Sequence, residues 1–234
     1  MSQKRSLFYH VILSIMGAGI VIAISWFGSS SVDSPDILGR LLMGGTFVAS
    51  CLFGISLAFR PGWIKGFTRR GNHSANRGQG HGGTRKRRGH HPDCEGFEAH
   101  VINRENRTLC AGCTGLAIGS IVSIFLMIVY VFLPATIPPA IPYVLVTLGM
   151  IFIAFNFLEI AIPIRNALLH LTANVFLVVS FLFIVIGVFQ LTGSTIYGIV
   201  GIVISFLWLD TRVQLSKWRH AEVCGNCTKT CKAY

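Results

Sequence analysis

Charge is scarce in this chain, and acid scarcer still. Charged residues make up 12% of 234 positions, and only 9 of them are Asp or Glu. A soluble domain carries about 25%, so a water-exposed globule is excluded and a bilayer protein is expected. Strict alternation of apolar and polar residues is missing as well, which argues against a transmembrane β-barrel. Also absent are a Gly-rich phosphate loop, a His-Glu-x-x-His pair and a Ser-His-Asp candidate. The commonest nucleotide-binding and hydrolytic signatures are therefore lacking, and whether the chain is an enzyme stays open.

What is present is hydrophobic length. Six continuous apolar runs occupy residues 7–27, 38–59, 116–133, 141–162, 168–191 and 195–209. A helix needs about 20 residues to cross the hydrocarbon core and satisfies its own backbone groups there. The expected fold class is all-α: a polytopic helical membrane protein of about six transmembrane helices, the last one short. The first run follows Lys4 and Arg5 and exceeds the roughly 7–15 apolar residues of a signal peptide, so it reads as a retained span. Pro134, Pro138, Pro139, Pro142 and Pro163 read as turn residues.

The formal charge of +11 has to gather outside the lipid. Lys4 and Arg5 lie at the N-terminus, most of the Lys and Arg lie in the loop 60–115, and more follow in the tail. The intervening connections carry almost none. By the positive-inside rule the N-terminus, long loop and C-terminus are cytoplasmic, in a multi-pass cell-membrane protein. The chain divides into a first transmembrane hairpin (1–60), a basic flexible loop (61–89), a small irregular Cys/His module (90–115), a four-helix transmembrane part (116–210) and a Cys-rich tail (211–234). The Gly- and Arg-rich stretch 69–89 has too little apolar surface to fold alone and is expected to lean on anionic lipid head groups. It lacks the interleaved aromatics that single-stranded nucleic acid would stack on, which argues against that partner.

Cys51 sits alone in an apolar run and reads as a small buried hydrophobe. The other six cysteines form two groups, each with a metal-type spacing. Cys94, Cys110 and Cys113 lie near His90, His91 and His100; Cys224, Cys227 and Cys231 follow His220. A two-residue gap lets both thiolates of a knuckle reach one tetrahedral ion, with Gly112 and Gly225 inside the two knuckles. On the cytoplasmic side stable disulfides are disfavoured, so zinc is the expected cofactor and an iron–sulfur cluster the alternative. Two wirings fit. Cys110, Cys113, Cys224 and Cys227 could share one ion, or each group could close its own site. The loop would then use Cys94, Cys110, Cys113 and His91 or His100, and the tail His220, Cys224, Cys227 and Cys231. The second wiring is narrowly preferred. A redox role for Cys110-x-x-Cys113 lacks the surrounding βαβ pattern that such a pair usually has.

Phe97, the run Leu109-Cys110-Ala111-Gly112-Cys113-Thr114-Gly115 and Gly119 together resemble the C-x-R-C-T-G signature of a family of uncharacterised prokaryotic membrane proteins, DUF2085. Gly112 stands where that motif has Arg, and His90-His91-Pro92-Asp93-Cys94 stands where it has Cys-His. The likeness covers residues 94–119, with a fainter echo at 165–174. It implies a small helical membrane protein with a Cys motif and no assigned activity. Gly115 and Gly119 also form a small-residue face suited to close helix packing.

Ionisable residues within spans are rare and usually face the bundle interior. Glu159 lies in the fourth run with Asn156 on the same face, and His170 and Asn174 lie four apart in the fifth. These groups could form an interior cluster that carries protons or holds a substrate. The plainer expectation is a Glu159–Arg165 pair at the interface with His170 bonded locally.

The leading reading is a membrane protein whose cytosolic zinc module is structural or docks a cytosolic protein. A membrane oxidoreductase using reactive thiols or an iron–sulfur cluster is the second reading, and a small-solute or ion transporter using Glu159 and His170 the third. Substrate and oligomeric state are not encoded legibly. Orientation is testable at once. Alkaline phosphatase, active only outside the cytoplasm, should be inactive when fused after Tyr234 and active when inserted between the first two spans.

Overall fold

A computed structural model of the chain describes residues 3–28, 36–59, 86–88, 101–104, 107–132, 137–162 and 166–225. Six helices are long and apolar enough to cross a membrane. They are α1 (Gln3–Phe27), α2 (Ile37–Phe59), α3 (Ala111–Phe132), α4 (Ala140–Ala161), α5 (Ala167–Thr192) and α6 (Thr195–Gly225). Three short strands precede α3: β1 (Lys86–Arg88), β2 (Val101–Arg104) and β3 (Arg107–Cys110).

The helical class agrees with the sequence, but three details differ. The described residues before α3 form a small sheet. β2 and β3 pair antiparallel with Val101 opposite Cys110, and β1 joins β3 in parallel, so β3 is central. Lys86–Arg88, expected to be flexible, thus belong to a sheet. Second, α3 starts at Ala111, directly after β3, so Cys113 lies in the first helical turn. Third, α6 does not stop with its apolar run but continues to Gly225, and its candidate span is Thr195–Arg219. Pro142, read as a turn residue, lies in the first turn of α4, where no intrahelical N–H is needed.

Helix α5 is the centre of the bundle. Its apolar residues from Leu177 to Phe189 are largely buried and form the core with Met43, Phe47, Met127 and Trp208. Its start is fixed by Asn166, whose side-chain oxygen accepts from the N–H groups of Leu168 and Leu169, the usual N-cap exchange. Its end is fixed by Gly193, whose φ of 63° is a conformation glycine adopts without strain. Lipid cannot drive helices together by hydrophobic transfer, so close backbone approach matters. Gly115 and Gly119 provide it. A methyl group at Gly115 would strike Leu171 O and Asn174, and one at Gly119 would lie 2.9 Å from Val175 O. On α4, Gly149 admits the backbone of α5 at Ser180 in the same way.

Helix α1 lies along α6. Ser14 Oγ donates to Thr211 Oγ1 (2.7 Å), Trp208 Nε1 donates to Ser14 O (3.1 Å), and Thr211 Oγ1 donates to His10 O (3.1 Å). These bonds fix the rotation of α6 about its axis beside Arg212. Cys51 is buried in the core, as its apolar surroundings suggested.

Replacing Gly115 by Val should lower stability by about 1–3 kcal/mol, the usual cost of overpacking, read as denaturant unfolding in micelles. Gly45→Ala, with nothing within 4 Å of the added carbon, should stay within about 0.5 kcal/mol of the parent.

Candidate functional site

Four helices converge at the end of the bundle where β3 passes into α3. Helix α4 brings Asn156 and Glu159 near its C-terminal end, and α5 brings His170 and Asn174 in its first two turns. Helix α6 brings Arg212, and the β3–α3 junction brings Cys110 and Cys113. Asn156 and Asn174 are fully buried, Arg212 is 5% exposed and Glu159 6%. Cys110 is buried and Cys113 half-buried.

The bonds among these groups are specific. His170 Nδ1 and Glu159 Oε1 are 2.9 Å apart. With Glu159 ionised, Nδ1 carries the hydrogen and Nε2 is left as the acceptor. Gly112 packs against that ring edge: a methyl there would sit 3.2 Å from His170 Nε2. Gly112 therefore serves helix contact, not the positive-φ turn expected from a metal knuckle. Among the described residues Gly193 alone of the glycines has positive φ. Asn156 works in two directions, donating from Nδ2 to Ala173 O (2.9 Å) and accepting at Oδ1 from Arg212 Nε (3.1 Å). Asn174 Nδ2 donates to His170 O. Arg212 interacts electrostatically with Glu159, Cys110 and Cys113.

Glu159 is paired in the interior with His170, and Arg165, its expected partner at the interface, lies outside the described residues. Glu159 Oε2, Asn174 Oδ1 and Arg212 Nη2 are buried with no hydrogen-bond partner among the described residues. Each such group costs about 1–3 kcal/mol if left unmet. Two acceptors and one donor suit water or a small neutral polar molecule.

The metal expectation fares differently. Among the described residues no group of three or more His, Cys, Asp or Glu could hold a metal ion. His90, His91, Cys94, His100, Cys227 and Cys231 lie outside the described residues, as do the side chains of His220 and Cys224 near the end of α6. The described part of the junction sets Gly112, between Cys110 and Cys113, against His170 and Asn174.

Sequence reasoning missed Arg212, which it counted with the basic tail. One signal was available: no Gly or Pro interrupts the chain from Ile202 to Cys224, so nothing ends the last helix before Arg212.

The arrangement defines a helical membrane bundle with a buried, charged site beside the β3–α3 junction that carries Cys110 and Cys113. No family model, curated protein or solved structure matches the chain.

At the N-terminal end of α3 the first four N–H groups lack intrahelical acceptors and carry partial positive charge. Arg212 adds a full one. Both favour an anion at this end of the bundle. Breaking one side of a buried charge pair costs about 3–5 kcal/mol, so Glu159→Gln and Arg212→Gln should each destabilise strongly. The double variant should be more stable than the sum predicts by about 1 kcal/mol or more, measured as a cycle by denaturant unfolding in detergent.

Proposed function

We propose that this chain is a membrane thiol oxidoreductase whose working centre is Cys110 and Cys113. The observation that carries this reading is the placement of the Cys-x-x-Cys pair, running from the end of β3 into the first turn of α3, with Gly112 between them packed on His170. The two cysteines are three residues apart, and a disulfide bridges Cα atoms about 4.4–6.8 Å apart. The Glu159–His170 pair beneath the junction supplies groups able to take and return thiol protons.

The chemistry is exchange with a disulfide-bearing partner. A thiolate of the pair attacks the partner's S–S bond, forming a mixed disulfide and releasing one partner thiolate. The second cysteine then closes the Cys110–Cys113 bond and releases the other. Two electrons pass to the partner, with two protons returned to its sulfurs; in the reverse direction the same steps reduce the pair. Half-buried Cys113 meets the partner first and buried Cys110 closes the bond. The alternation of Lys and Arg supports a cytoplasmic position for this end, where disulfides are transient and catalytic. It also supports attachment of the basic loop to anionic lipid.

Zinc is the competing use of the same sulfurs. Purified protein equilibrated in graded glutathione buffers should yield a Cys110–Cys113 linked peptide by mass spectrometry, in proportion to the oxidised fraction. Cys110→Ser and Cys113→Ser should each abolish it. Stoichiometric zinc or iron in the parent, lost in Cys110→Ser, would overturn the redox reading.

A further inference from the structure

Two rungs of hydrogen bonds, in antiparallel order, join α4 to α5. On the first, Asn156 Nδ2 donates to Ala173 O at 2.9 Å. On the second, one turn further along α4, His170 Nδ1 meets Glu159 Oε1 at 2.9 Å. Helix α6 attaches to the first rung through Arg212 Nε, which donates to Asn156 Oδ1 at 3.1 Å. Asn174, next to Ala173 in the chain, turns its Nδ2 back onto His170 O. Both amides are thereby oriented without ambiguity, because a backbone carbonyl only accepts. Three side chains of this set are fixed at one atom and unmet at another. Glu159 Oε2, Asn174 Oδ1 and Arg212 Nη2 are buried with no hydrogen-bond partner among the described residues. All three residues are more than nine-tenths buried.

We infer that these three atoms bind one internal water, which donates to Glu159 Oε2 and Asn174 Oδ1 and accepts from Arg212 Nη2. The count of donors and acceptors selects it. A metal cation would face the guanidinium, an anion would face two acceptor oxygens, and an alcohol donates only once. Water donates twice and accepts as well, and about three bonds is usual for a buried one. Lipid offers the unmet atoms no other partner. The bond pattern gathers them in one neighbourhood. Asn156 and Glu159 lie three apart on α4, and His170 and Asn174 four apart on α5, spacings that put side chains about 5–6 Å apart on one helix face. The bound water completes a hydrogen-bonded chain of imidazole, carboxylate, water and guanidinium across α5, α4 and α6. It ties Arg212 to Glu159 without direct contact, and it stands whether or not Cys110 and Cys113 exchange disulfides.

The test is a crystal structure of the full chain at a resolution that places water, together with water-selective Overhauser spectra in detergent. The expected result is one isolated peak within about 3.2 Å of all three atoms. Long-lived contacts should run from water to the Arg212 guanidinium and Asn174 amide hydrogens. Asn174→Leu removes one acceptor and fills the site with carbon, so the water contact at Arg212 should be lost. Gln190→Leu, at the far end of α5, should keep it. A variant that merely loosened the bundle would let more water reach Arg212, not less. Should Asn174→Leu fail to fold, the peak in the parent protein decides alone. A direct Glu159–Arg212 bond without the peak would overturn the inference. So would separate waters on the three atoms, or density extending beyond a single peak, as a small amide would give.

Discussion

A guanidinium inside a lipid-embedded bundle has to be met by opposite charge and by acceptors, because the medium offers neither. Arg212 is met by Glu159 in charge and by Asn156 in hydrogen bonding. The consequences run outward from that constraint. Glu159 can face inward because His170 meets its Oε1. Asn156 can orient toward Arg212 because Ala173 O fixes its amide. Helix α6 has to continue well past its apolar run, and α1 has to be hydrogen-bonded along it, or Arg212 would rotate out to the surface.

The second requirement is closeness. His170 and Asn174 meet the Cys110-x-x-Cys113 junction because α3 comes within backbone contact of α5 along Gly112, Gly115 and Gly119. Any side chain at Gly115 would push the α3 N-terminus, and the sulfurs with it, away from the polar groups. The glycines thus link packing to chemistry: the face that lets two helices pack also brings the positive end of one helix against a His–Glu pair.

Much of this was legible in the sequence, and the gaps have physical reasons. Six spans follow from apolar length, and the nearness of Glu159 to His170 follows from the short connection between α4 and α5. The inward choice for Glu159 was not legible, because its deciding partner, Arg212, is separated from it by 53 residues, a spacing that no periodicity reveals. Hydropathy marked the end of α6 at Leu209, yet helices end at caps and breakers, and none occurs before Gly225. The spacing of Cys110-x-x-Cys113 does not show the backbone that carries it, here a strand-to-helix junction. The role of Gly112 in making room for an imidazole was equally illegible, because His170 is 58 residues away.

The position of the site along the bundle bears on transport. From His170 to Gln190 is 20 residues of α5, roughly 30 Å at 1.5 Å per residue. At the Gln190 end a different polar group occurs: Gln190 Nε2 donates to Tyr130 Oη at 2.6 Å, and the Arg40 guanidinium lies 5.7 Å from the Tyr130 ring centre. Between the two ends the buried surface of α5 is mainly Leu, Val, Ile and Phe, with Ser180 bonded back to Leu177 O. A carrier is expected to place its binding groups near the bilayer midplane, at a broken helix. Here α5 is continuous and its middle is apolar, while buried polar groups gather toward its two ends, Glu159, His170 and Arg212 at one and Arg40, Tyr130 and Gln190 at the other. A solute crossing the bilayer would need a polar path through the middle of α5, where the packed side chains are hydrocarbon.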